Sequence, residues 1–212
     1  MSNMLITQKV SSEKLIILKS WKNPFEELSI SEIMQAIGKK SKPWVFNALE
    51  LFTEKNLLVK SRKGNINLYS LNLNNPLLTQ TLQFIDIREL YNFSHLDIIQ
   101  KTINKIPINT YCLLIFGSYA SGKQNKQSDL DACFLIENKE IEGKIKPYFN
   151  DIKLITHISI DEHYITFADF IKMLLREEEN LAKQIFRNNK IFFNPDIYYQ
   201  LIKEAYKNGF RA

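Results

Sequence analysis

Two hydrophobic periods alternate along the chain. Residues 41 to 55 carry Val45, Ala48, Leu49 and Phe52 at helical spacing, whereas YCLLIF, residues 111 to 116, is apolar without interruption. Helical spacing also marks residues 13 to 22 through Leu15, Ile16, Leu18 and Trp21. A short helix starts at Ser31 and Glu32, turns Ile33, Met34 and Ile37 inward, and stops at Gly38. Ser41 is the expected cap of the 41 to 55 helix, with Pro43 accepted in its first turn. LLVKSRKGNINLYSLN then reads as two strands joined at Lys63-Gly64-Asn65. From Pro76 to about Leu90 the apolar set is too broad for one stripe, which predicts a helix buried on two sides and points to dimerisation. A further helix spans residues 94 to 105.

The second half begins with the buried strand 111 to 116, which ends at Gly117, and a second strand runs from Asp129 to about Glu137. After a polar stretch and Pro147, DIKLITHISID places Ile152, Leu154, Thr156, Ile158 and Ile160 on alternate positions. That period of two predicts a half-buried strand over residues 151 to 161. Residues 166 to 189 read as one amphipathic helix, KIFFN as an edge strand, and residues 195 to 207 as a closing helix.

Composition narrows the class. Hydrophobic residues make up 45% and charged residues 24%, an ordinary globular balance, and the net charge is +5. A mildly basic chain suits nucleotide or nucleic-acid partners without requiring them. The two cysteines, Cys112 and Cys133, fall in predicted core strands and read as small buried side chains. No apolar run reaches the ~20 residues that span a bilayer, and no charged segment precedes an apolar signal core, so a cytoplasmic protein without a membrane partner is expected.

The chemistry concentrates in YCLLIFGSYASGKQNKQSDLDA, residues 111 to 132. Gly117 and Ser118 make a small-residue turn whose N–H groups and hydroxyl suit phosphate oxygens, and Gly122 and Lys123 extend it. Asp129 and Asp131 lie on one face of the next strand, about 6.5 Å apart, while Leu130 points inward. Paired carboxylates so placed suit Mg²⁺, which takes a few carboxylate oxygens together with substrate phosphates.

Phe116-Gly117-Ser118 followed by Asp129-Leu130-Asp131-Ala132 resembles the signature of the DNA polymerase β-like nucleotidyltransferase superfamily, and the SDLD wording its minimal nucleotidyltransferase branch. The resemblance implies that Gly117, Ser118, Gly122, Lys123 and Ser128 bind nucleotide. It also implies that Asp129 and Asp131 are catalytic and hold one or two Mg²⁺ ions. ATP or another NTP would be the substrate, NMP would pass to a hydroxyl of a macromolecule, and a protein acceptor or toxin partner belongs to the same implication. Active members carry a third acid on the next strand. In the strand predicted over residues 151 to 161 the interior polar positions are Lys153 and His157, with Asp151 and Asp161 at its ends, so His157 is the candidate third site residue.

Three helices followed by a hairpin are similar to the winged helix-turn-helix family. That resemblance implies double-stranded DNA as partner, with Lys42, Trp44 and Asn47 on the third helix and Lys60, Arg62 and Lys63 on the wing. The expected architecture is α/β (α+β). It comprises a winged helix-turn-helix over residues 1–75, a helical connector over 76–105, and a small mixed-sheet nucleotidyltransferase-like domain with C-terminal helices over 106–212. Two functional classes follow: a Mg-dependent nucleotidyltransferase, or a DNA-binding regulator or antitoxin that senses nucleotide without turning it over.

Overall fold

The structure is a computed structural model that describes residues 12–38, 41–91, 96–156 and 159–211. The fold is mixed α and β with two separate sheets, and the chain divides into compact units at residues 1–85 and 86–212.

In the first unit, α1 (Ser12–Leu15) tightens into a 3-10 turn at Ile16–Lys19, a shorter element than the helix expected over residues 13 to 22. The two-residue strand β1 (Leu28–Ser29) leads directly into α2 (Ile30–Ile37). This helix begins earlier than expected because Ser29, not Ser31, caps it. The Glu32 N–H donates to Ser29 Oγ, and Glu32 Oε2 accepts from the Ser29 N–H at 2.7 Å, a reciprocal capping box. The helix stops at Gly38, which adopts the left-handed conformation. Next, α3 (Lys42–Glu54) carries Pro43 in its first turn and buries Val45, Ala48, Leu49 and Phe52, although the Ser41 side chain makes no capping bond. Strands β2 (Leu58–Lys63) and β3 (Ile66–Leu71) form the expected hairpin, and the sheet order is β1-β3-β2, all antiparallel. The helix α4 (Pro76–Glu89) follows, with Leu78, Leu82 and Ile85 buried and Phe84 exposed.

The second unit holds a four-stranded sheet in the order β6-β5-β4-β7, in which β4 is Tyr111–Phe116, β5 Leu130–Ile136, β6 Ile160–Thr166 and β7 Asn189–Phe193. Every residue of β4 is buried, as an uninterrupted apolar strand between two neighbours demands. Cys112 and Cys133 are free and buried on β4 and β5. β4 runs antiparallel to β5 and β7, while β5 and β6 are parallel.

Parallel neighbours need a crossover of a dozen or more residues, usually a helix. Here the crossover is α7 (Glu140–Thr156), and it overturns the strand expected over residues 151 to 161. Its buried residues Ile141, Ile145, Phe149, Ile152 and Thr156 recur at three and four positions, whereas Leu154 and Ile155 stand 75% and 66% exposed. The alternation of Ile152, Leu154 and Thr156 therefore has no face in the fold. The strand starts at Ile160.

Before this sheet comes α5 (Leu96–Ile103), and after β4 the short α6 (Gly117–Ser121). The helix expected over residues 166 to 189 is two helices, α8 (Phe167–Leu175) and α9 (Leu181–Arg187). The segment between them holds the exposed run Arg176 to Glu179, and Asn180 restarts the helix by accepting the Lys183 N–H on its side chain. α10 (Pro195–Lys207) closes the chain as expected. Ile103, Ile106, Leu113, Ile115, Phe134, Ile145 and Phe149 belong to one apolar core beneath this sheet. Among the described residues no helix is long and apolar enough to cross a membrane.

Candidate nucleotide site

β4 ends at Phe116, and the chain then turns sharply because Gly117 takes φ +66°. A β-carbon at Gly117 would sit 2.0 Å from Asp131 Oδ2, so only glycine allows this approach. The Asp131 carboxylate consequently lies in the elbow of the turn and accepts a hydrogen bond from the Ser118 N–H. An anion already occupies the position that the sequence assigned to phosphate oxygens. From the other side, Asn188 Nδ2 donates to the Gly117 carbonyl at 3.1 Å and fixes the turn.

The turn continues as α6, where Ser121 Oγ donates to the carbonyls of Gly117 and Ser118, both at 3.0 Å. Gly122 ends it in the left-handed conformation, and the Lys123 N–H donates to the Ser118 carbonyl at 2.9 Å. The Lys123 side chain is exposed. Ser128 accepts the Asn125 N–H on its Oγ at 2.9 Å, so its hydroxyl shapes the loop that returns the chain to β5.

Asp129 is exposed just ahead of β5, and Asp131 is the second residue of that strand. The parallel register sets Asp131 opposite Asp161 on β6. Burial first and the negative charge of Asp161 second push the Asp131 carboxyl above its ordinary value, with a lesser push from Asp129, against opposing contributions from His163 and the Ser118 N–H. Three carboxylates thus share one electrostatic environment. A divalent cation would relieve that repulsion, and the oxygen donors are of the type Mg²⁺ takes. Among the described residues no group of three or more His, Cys, Asp or Glu side chains is gathered closely enough to hold a metal ion.

His157, the expected third residue, lies outside the described residues. Asp161 stands opposite Asp131 instead, at a position that the expected strand over residues 151 to 161 put at its end. Glu162, its neighbour, is engaged otherwise: Lys153 Nζ lies 2.7 Å from Oε1, and the Tyr164 hydroxyl donates to Oε2 at 2.5 Å. The missed signal is a pair of boundaries around IDEHYIT. Thr166 caps α8 by accepting the Asp169 N–H, which marks where β6 must end.

Residues 97–198 match the family model described as Polymerase beta, Nucleotidyltransferase. This segment is therefore similar to nucleotidyltransferases of that family. Its match begins within α5, takes in all four strands of the second sheet, and ends within α10. Gly117, Ser118, Asp129, Asp131 and Asp161 all fall inside it. Comparison with curated proteins and with solved structures finds no match to the chain.

In the first unit, Lys42, Asn47, Lys60, Arg62 and Lys63 are exposed and Trp44 is half-buried. Strand alternation separates the three hairpin cations. Lys60 and Arg62 share the face of Leu58, whereas Lys63 leaves the opposite face with Val59. Lys60 is also paired with Glu50 of α3 at 2.7 Å and lies 5.8 Å from the Tyr69 ring centre.

Proposed function

We propose that the nucleotidyltransferase domain transfers a nucleoside monophosphate, AMP from ATP, to a hydroxyl on a macromolecule. The observation that carries this reading is the placement of Asp131, which lies in the Gly117-Ser118 elbow, opposite Asp161 and in the field of Asp129.

In this reading the Ser118 N–H, released by Asp131, and the other donors of the turn receive phosphate oxygens. Asp129 and Asp131 hold Mg²⁺, which when bound neutralises phosphate charge and aligns the α-phosphate. Asp161 takes the proton of the attacking hydroxyl. The hydroxyl oxygen then bonds to the α-phosphorus, the bond to the bridging oxygen breaks, and pyrophosphate departs. Lys123 is exposed beside the turn and is suited to meet the outgoing charge. These roles depend on position and electrostatics, which is what phosphoryl chemistry requires.

The first unit fits a winged helix-turn-helix that docks on double-stranded DNA, because Lys42 and Asn47 on α3 and Lys60 and Arg62 on the hairpin are exposed. In that arrangement a protein acceptor would be modified in the cytoplasm by an enzyme tethered to DNA. The regulator reading, in which nucleotide is sensed and not consumed, rested on the lack of an interior third acid. Asp161 opposite Asp131 now favours the transferase. The test is pyrophosphate release from each NTP with Mg²⁺, compared with Asp161→Asn. The transferase reading expects release that Asp161→Asn suppresses while nucleotide binding survives, whereas binding without release would support the sensor.

A further inference from the structure

His163 follows Asp161 by two positions on β6, so both side chains leave the same face of the strand. Its Nε2 lies 3.2 Å from Asp161 Oδ2. Its ring centre is 5.5 Å from that of Phe116, the residue immediately before Gly117. One imidazole therefore packs against the strand end that leads into the turn and bonds the third acid.

We infer that His163 is a positioning residue for Asp161, an inference that rests on Asp161 being the proton acceptor of the transfer. An ionised carboxylate only accepts hydrogen bonds, so Nε2 must carry the hydrogen and donate it to Oδ2. With Oδ2 engaged and the ring set against Phe116, the carboxylate is held in one rotation and Oδ1 is left to accept the proton of the incoming hydroxyl. Asp161 and His163 also line a cleft of about 530 Å³ together with Glu142, Lys146, Lys153 and Tyr164.

A merely structural role for His163 would show as lost stability when the imidazole is removed. The His163 side chain is 32% exposed and that of Asp161 60%, and exposed pairs of this kind contribute little to folding. Removing the imidazole should then leave stability intact and cost rate alone.

The experiment compares the wild type, His163→Leu and His163→Gln by Mg²⁺-dependent pyrophosphate release from the four NTPs, with melting curves alongside. His163→Leu should lower kcat about 10- to 100-fold, the usual loss when a group that orients a reacting residue is removed. The KM for nucleotide and the melting temperature should not move. His163→Gln, which keeps an N–H donor at similar reach, should recover most of the lost rate. Equal kcat in wild type and His163→Leu, or no recovery in His163→Gln, overturns the inference.

Imidazole ¹⁵N spectra supply a readout without turnover. The His163 Nε2–H resonance should stand further downfield in the wild type, where it donates to the carboxylate, than in Asp161→Leu. A resonance indifferent to Asp161 would remove the contact on which the inference stands. Wild-type release no greater than that of Asp129→Asn with Asp131→Asn would instead remove the transferase reading, and the inference with it.

Discussion

Asp131 and Asp161 face each other across the parallel strands β5 and β6, each the second residue of its strand. The negative charge of Asp161 and the burial of Asp131 both disfavour the ionised form of Asp131. Such a site stores unfavourable electrostatics that a bound cation can release.

The pH dependence of stability follows from the raised Asp131 pKa. Folded Asp131 holds its proton more tightly than the unfolded chain does, so in the window just above the ordinary value of 3.8 the native state binds more protons. Stability contributed by this group is therefore lost as pH rises through that window. Asp131→Asn, which can still accept the Ser118 N–H, should melt higher than the wild type at pH 7 and differ less from it at pH 4. Thermal melts at both values check the sign.

Gly117→Ala should damage the elbow twice. The left-handed backbone at φ +66° costs a non-glycine residue about 1–3 kcal/mol, and the new methyl displaces Asp131. Denaturation should show a loss of that order. Nucleotide titration should show binding lost as well, whereas a destabilised variant with full affinity would place the phosphate site elsewhere.

Two substitutions on α7 separate a helix from the alternating strand its sequence suggests. Ile152→Ala removes a side chain that is 1% exposed and should cost about 2–5 kcal/mol, whereas Leu154→Ala, at 75% exposure, should stay within about 0.5 kcal/mol. A strand over residues 151 to 161 would give both residues the same burial and similar costs. Urea denaturation of the two variants decides.

Legibility in the sequence followed how much of each element was buried. β4 is apolar at every position because neighbours cover both of its sides, and an uninterrupted YCLLIF has few other uses. The elbow and the first two acids were readable for a related reason: Gly117, Ser118, Asp129 and Asp131 are local features that need no knowledge of distant partners. α7 was not readable in the same way. Gly143 and Pro147 interrupt it, its exposed face includes Leu154 and Ile155, and its last turns mimic a period of two. Placing a strand there displaced β6, and with it Asp161 and His163. Their placement depends on the register with β5, a pairing across thirty residues that no local pattern encodes.

Duplex binding by the first unit should split the hairpin cations by face. Arg62→Ala, on the strand face shared with Lys60, should weaken DNA affinity and reduce the salt slope by about one. Lys63→Ala, on the opposite face, should do less. Fluorescence anisotropy at several salt concentrations measures both, and equal losses would mean that both faces meet phosphates.

The most direct measurement of the central claim is calorimetric titration of each NTP into the protein with and without Mg²⁺, repeated on Asp129→Ala with Asp131→Ala. A working nucleotide site predicts metal-dependent affinity, selective for one base, that the double variant abolishes while its fold is retained. Failure of all four NTPs to bind the wild type in the presence of Mg²⁺ would contradict it.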